Sequence, residues 1–262
     1  MRTPYPAFGI SSGGEVASFL LFGGVALLAL IYCIVASRRL HQPWPVAVFA
    51  GSALLITYEP FNNFLAHCAY PTGPHTHDML TWFGQHVPWT TWLIYMFYFS
   101  FAAPLLVQRL DRGMTMRGFF GFYACVVAAC GAFEPAFSNV HGLRWWYYYG
   151  GNQALNFTGL PMFWWFANAM AVVGTGVAVY LLKRHVFTRQ SQQWLIVPLV
   201  PLLLFALHGS AAAPVFTAIH STDSLAISTA ATLLTIAISI FYIWLMGASC
   251  QLNRPRTAEG SR

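Results

Sequence analysis

Of the seven acidic residues in the 262-residue chain, Glu59 falls near the middle of an apolar run, Val46 to Cys68. An ionised carboxylate in hydrocarbon costs on the order of 3 kcal/mol even on the translocon insertion scale, so an acid at this depth has a function or a firm partner. Pro60 follows it. Proline lacks an N–H and its ring clashes with the carbonyl four residues back, at Ile56, so a kink is expected here, freeing a carbonyl beside the acid. Asn63 lies one helical turn on, on the same face as Glu59, and Asn62 flanks it, so both amides are available as partners. An acid enclosed in this way keeps a proton to donate near neutral pH. Glu59 is therefore the candidate general acid; otherwise it is a hydrogen-bonded helix-packing group.

A second acid sits in a similar context. Tyr58-Glu59-Pro60, with Asn63 and His67 downstream, is echoed by Phe133-Glu134-Pro135, with Asn139 and His141 downstream. Glu134 lies closer to a run end, where a structural role competes more strongly. Asp223 either caps a helix or serves as a further acid or base. Aromatic residues make up 17% of the chain and gather at Trp145, Trp146, Tyr147, Tyr148 and Tyr149, and again at Phe163, Trp164, Trp165 and Phe166. Interfacial belts explain many such rings. Trp164 nevertheless stands one turn before Asn168, so some rings can line a pocket whose faces shield a cationic intermediate. His208, in mid-run, is a packing group or an aid to proton transfer. The imidazoles of His67, His75, His77 and His86, with Asp78, could ligate a metal, but their spacing matches no strong signature; no metal and no cofactor is assigned.

The elements that must hold these groups are membrane helices. With 57% hydrophobic and 8% charged residues, the chain cannot be kept in solution as a water-soluble domain. The net charge of +6 does not indicate nucleic-acid binding, because the basic residues fall at the ends of apolar runs. Seven runs are long enough to cross roughly 30 Å of hydrocarbon: 16–36, 46–68, 89–108, 117–138, 159–182, 194–216 and 225–247. An all-α bundle of seven transmembrane helices is expected, forming one domain over residues 1–262. With the N-terminus outside, eleven Lys and Arg residues are cytoplasmic and only Arg2 and Arg144 are external, so the positive-inside rule puts the C-terminus in the cytoplasm. The first run precedes rather than follows its arginine pair, Arg38 and Arg39, which argues for a retained span rather than a cleaved signal. Four of the five cysteines lie within spans or at their cytoplasmic ends, so no disulfide framework is expected. The cytoplasmic connections are short and basic. The outer ones, 69–88 and 139–158, are longer and rich in His, Trp, Tyr, Gly and Asn, so function is expected on the outer half. Asn156-Phe157-Thr158 fits a glycosylation sequon, a triplet too common by chance to bear weight.

Seven spans invite comparison with retinal proteins, which need a Schiff-base lysine in the last span. The single lysine, Lys183, sits at a cytoplasmic helix end. Membrane amidases of the alkaline ceramidase type carry a paired histidine motif in the last span, which is missing here, so a metal-dependent lipid hydrolase is a distant option. What remains suits acid-initiated carbocation chemistry. A lipophilic prenyl substrate would partition into the bilayer, enter sideways and be protonated by Glu59, then cyclise, isomerise or capture water while aromatic walls exclude solvent.

On Tyr58-Glu59-Pro60, followed by Ala69-Tyr70-Pro71, the chain resembles the integral-membrane terpene cyclases of meroterpenoid and indole-terpenoid pathways. That resemblance implies seven spans, a catalytic acid in the second, matched by Glu59, and another in the last, matched by Asp223. Membrane carotenoid hydratases and cyclases are neighbouring possibilities, and there Glu134 with Trp145 to Tyr149 would matter more. The substrate-binding set expected is Tyr58, Asn62, Asn63, His67, Trp145, Trp146, Tyr148, Trp164, Trp165, Asn168 and His208. The partners expected are a lipophilic small molecule and membrane lipids, in a bacterial inner membrane or the endoplasmic reticulum. A proton- or cation-coupled transporter or channel is the alternative, with Glu59 and Glu134 as ion sites and the prolines as helix breaks.

Overall fold

The computed structural model describes residues 8–138, 144–157 and 159–252. Asn139 and His141 of the echoed motif, Thr158 of the sequon, Arg2 and the three terminal arginines lie outside the described residues.

Among the described residues the architecture is all-α, built on eight helices. Helix α1, Ser12–Leu40, begins where the Ser11 hydroxyl accepts from the Gly14 N–H at 3.1 Å, and ends at His41 in the left-handed region. Along it Phe22, Ala26, Ala29, Cys33 and Ala36 recur at three- and four-residue spacing and are buried, while Leu20, Leu27 and Leu28 point outward. The last helix, α8 (Leu225–Ser249), is built the same way. It buries Ser228, Thr232, Thr235 and Ser239 and exposes Leu233, Leu234, Phe241 and Trp244. Small or weakly polar side chains inward and large apolar ones outward is the arrangement that lipid favours, because hydrocarbon exerts no force to hide leucine. Among the described residues, six helices are long and apolar enough to cross a membrane: α1, α4 (Trp89–Asp111), α5 (Met116–Ser138), α6 (Phe163–His185), α7 (Ile196–Ser221) and α8.

The expected second span, 46–68, is not one helix. Helix α2, Trp44–Ala53, passes through a tight 3-10 turn, Leu54–Thr57, and restarts after Tyr58 as α3, Glu59–Ala66. The break has a local cause. Pro60 offers no N–H to the Ile56 carbonyl, yet it is harmless in the first turn of a new helix. The Phe61 and Asn62 N–H groups turn back to the Tyr58 carbonyl at 3.1 and 3.0 Å. The expected kink is thus a full restart, and it puts Glu59 at a helix start. Pro135, by contrast, lies inside the uninterrupted α5, so the sequence echo does not produce equivalent geometry.

Helix α6 is the central post. It packs against α4, α5, α7 and α8, and Ala167, Ala169, Ala171, Gly174 and Gly176 allow the close approach. A methyl group on Gly174 would stand 2.5 Å from Leu207 Cδ1 and 2.8 Å from Met246 Cε.

The connections at the end of the bundle holding α3 are ordered by three small antiparallel pairings. Strand β1, Cys68–Ala69, pairs with β4, Tyr147–Tyr148; β2, Asp78–Trp82, pairs with β3, Gln85–Pro88; and β5, Asn156–Phe157, pairs with β6, Leu160–Pro161. The β2–β3 turn uses positive φ at Phe83 (54°) and Gly84 (71°), as a two-residue hairpin connection requires. This hairpin is tied to α1 where the Glu15 carboxylate accepts from the His77 backbone N–H at 3.0 Å.

Candidate functional site

Breaking the second stretch brings its polar face to a cavity bounded by α3, β1, α4, α5, β4, α6 and α7. The centre of a water-sized sphere can move through about 100 Å³ of it. One water needs only roughly 10–15 Å³ on that measure, so a small organic group fits. Glu59 and Glu134 both line it. The two acids arrive from different helices, Glu59 from α3 and Glu134 from α5.

Each carboxyl group is held at both oxygens. The Tyr70 hydroxyl donates to Glu59 Oε1 at 2.5 Å, and the Tyr95 hydroxyl donates to Oε2. The Asn62 side chain also hydrogen-bonds Glu59. On the other acid, Asn168 Nδ2 donates to Glu134 Oε1 at 2.8 Å and the Tyr148 hydroxyl to Oε2 at 3.1 Å. Glu59 is buried at 3% exposure, whereas Glu134 is half-buried. The Cys68–Tyr148 register of β1 and β4 carries Tyr148 to its acid, and β1 leads directly to Tyr70. The small strand pair is therefore part of the site's frame. Phenol and amide donors set around a carboxyl group stabilise the anion left when a proton departs, a form of preorganised electrostatic support.

The remaining wall is aromatic and apolar. Ile94, Phe99, Phe133, Trp146, Trp164 and Leu204 supply most of it, and the His208 ring stacks on Trp164 with centroids 4.8 Å apart. Tyr98 stands with its hydroxyl 2.7 Å from Cys130 Sγ. Among the described residues no lysine or arginine lines the cavity, and the acidic side chains on it are the two glutamates.

Of the residues singled out in the sequence, Glu59, Glu134, Asn62, Asn63, Trp146, Tyr148, Trp164, Asn168 and His208 meet in this cavity. The others lie elsewhere. Tyr58 packs edge-on to Phe205 with centroids 5.1 Å apart, and Trp145 wedges between Phe22 and Phe137. Trp165 covers Gly131. His67 caps α3 and stacks on Tyr149, with His220 against its edge; burial raises the Tyr149 phenol above its usual range. Asp223 neither caps α8 nor reaches the cavity. It is exposed, and Ser224 provides the cap, accepting from the Ile227 N–H. The second acid of the site thus comes from α5 rather than from the last helix, a departure from the pattern that the terpene-cyclase resemblance implies.

Tyr95 and Tyr98 were not singled out, and Tyr70 entered only as part of the Ala69-Tyr70-Pro71 motif. A signal existed: Tyr95 and Tyr98 lie one turn apart inside an apolar helix, and a buried phenol seeks a partner. Which partner depended on how α3 and α4 pack. Among the described residues no three His, Cys, Asp or Glu side chains gather as a metal site. His77 and His86 are engaged by Glu15 and Asp78. Comparison of the chain with protein-family models, with curated proteins and with solved structures finds no match.

Proposed function

We propose that the protein is a membrane-embedded enzyme of isoprenoid or terpenoid metabolism, in which a carboxylic acid initiates cyclisation, isomerisation or hydration of a lipophilic prenyl substrate. The observation that carries this reading is the pair of glutamates on one aromatic-walled cavity, each held at both oxygens by neutral donors. Glu59 in its neutral form gives its proton to an alkene or an oxygen of the substrate. The Tyr70 and Tyr95 hydroxyls then support the carboxylate that remains, where charge develops in the transition state. The ring faces of Phe133, Trp146 and Trp164 stabilise positive charge on carbon and keep water from quenching it early. Glu134 takes a proton back or directs a water.

In this reading α2 and α3 together make a seventh, broken crossing, with the N-terminus outside. Support comes from the basic residues at the cytoplasmic ends, Arg38 and Arg39 in the last turn of α1 and Lys183 and Arg184 closing α6. The cavity then lies in the outer half, open to substrate arriving from the bilayer.

A second reading has one specific observation in its favour. The restart at Glu59 resembles the broken helices that form ion sites in transporters. The two readings separate in one comparison. Wild type and Glu59→Gln are expressed in a host that makes prenyl precursors, and lipid extracts are compared; the purified protein is also reconstituted in liposomes with a pH-sensitive dye. A new product from wild type alone is the expected result. An unchanged product with Glu59→Gln removes the acid from the mechanism, and proton flux without any product favours transport.

A further inference from the structure

The site described above leaves polar atoms over. Asn62 Oδ1, Asn63 Nδ2, Trp146 Nε1, Trp164 Nε1 and both ring nitrogens of His208 are buried without a hydrogen-bond partner, and all belong to side chains that line the cavity. The residues are deeply enclosed, with exposures of 7% for Asn62, 6% for Trp146, 2% for Trp164, and 1% for Asn63 and His208. A buried polar atom left unpaired is costly, and most such atoms in proteins are paired. Five such side chains around one cavity form a wall prepared for hydrogen bonds that the protein does not itself make.

The chemistry of that wall is specific. Asn63 and the two indoles can only donate from these atoms, Asn62 Oδ1 can only accept, and a neutral imidazole does one of each. The surplus of donors suits a carbonyl, ether or hydroxyl oxygen, and the acceptors suit a hydroxyl hydrogen. A hydrocarbon would leave every one of these atoms unpaired. A phosphate or carboxylate would meet two glutamates and no cation.

We propose that the cavity recognises a neutral, oxygenated substrate, a lipophilic molecule bearing hydroxyl or carbonyl groups, with His208, Asn63 and Trp164 as its oxygen-binding residues. This rests on the reading of the cavity as a substrate site and narrows it. The substrate class is neither a prenyl diphosphate nor an unfunctionalised polyene. Oxygen functions must therefore be installed, or the diphosphate lost, before the molecule reaches this protein. His208 holds the oxygen while its ring stacks on Trp164, and Glu59, clamped by Tyr70 and Tyr95, supplies the proton.

The test is binding rather than turnover. The full chain in nanodiscs is titrated with farnesol, farnesene and farnesyl diphosphate, which share a C15 chain and differ at its end. Occupancy is followed by native mass spectrometry and by the fluorescence of the cavity tryptophans. Farnesol is expected to bind about tenfold tighter than farnesene, the worth of one or two net hydrogen bonds. His208→Phe, which keeps a ring against Trp164, and Trp164→Phe, which keeps the ring and loses the N–H, should each narrow that preference to about threefold or less without weakening farnesene. Either variant suffices if the other fails to fold. Glu59→Gln should retain the preference while losing product, so failure of the acid assignment and failure of this inference are distinguishable. Equal binding of alcohol and hydrocarbon, tightest binding of the diphosphate, or a preference untouched by both ring variants overturns the proposal.

Discussion

The two ends of this bundle are built on opposite rules. Around α3 and the small strand pairs, the helix is interrupted, tyrosines and amides face inward, and polar atoms remain unpaired around a cavity. Along the middle and far end of α6, Val172, Val173, Val177 and Val179 are buried and Gly174 and Gly176 sit under neighbouring side chains. Continuous helices satisfy their own backbone and need only close packing to associate in lipid. An interruption frees backbone and polar side chains, which then need partners or a ligand. The difference teaches that this molecule gathers the polar groups of its cavity where regular structure stops and its closest helix packing where it does not.

That contrast can be broken most severely at the acids. Glu59→Gln keeps shape and removes the donated proton, so product formation should fall by about 10²-fold or more, the lower range of a general acid's contribution. Thermal unfolding in nanodiscs should stay near wild type. Glu134→Gln should cost less if Glu134 acts after the first proton transfer; loss equal to that of Glu59→Gln would mean that the two acids work as one unit. Tyr95→Phe removes one donor from Glu59. A hydrogen bond to a charged group is worth about 1.5–3 kcal/mol, so turnover should drop by about tenfold or more. A change in substrate affinity alone would refute the assigned role.

The packed side of the comparison responds in stability. A methyl group on Gly51 would lie 2.8 Å from both the Val197 carbonyl oxygen and Val200 Cβ, backbone and a stiff side chain that cannot step aside. Gly51→Ala should lower stability by about 1–3 kcal/mol, read as a fall in the midpoint of thermal unfolding. Gly121, with nothing within 4 Å, is the control: Gly121→Ala should be neutral or stabilising by up to about 1 kcal/mol, because alanine is the better helix former. The smallest effect is expected at Asp223. Exposed and away from the cavity, Asp223→Asn should leave turnover within about twofold of wild type, as surface substitutions usually do. A large loss there would restore the last-helix acid that the cyclase resemblance implies.

Much of the fold was legible because lipid reads composition directly. Six of the seven apolar runs appear as long helices, with ends shifted by a few residues: the first run, 16–36, lies inside Ser12–Leu40, and the fifth, 159–182, starts late, at Phe163. Pro60 announced a disturbance. Hydropathy could not tell a kink from a restart, because α2 and α3 remain apolar on average on both sides of it. The resemblance placed the second acid at Asp223, where a run begins, but the local choice of Ser224 as the cap left Asp223 in the open.

The sequence by itself determined that the chain belongs in a membrane, where six of its long helices run, and that Glu59 is the residue most in need of an explanation. These follow from short-range physics: the cost of charge in hydrocarbon and the restriction imposed by proline. The tertiary structure decided that Glu134, and not Asp223, shares Glu59's cavity, that Tyr70 and Tyr95 clamp the acid, and that His208 faces it stacked on Trp164 with its nitrogens unused. Apart from Tyr70, which is 11 positions from Glu59, those pairings join residues tens of positions apart. No local rule encodes them; they exist only once α3, α4, α5 and α7 pack around the central helix.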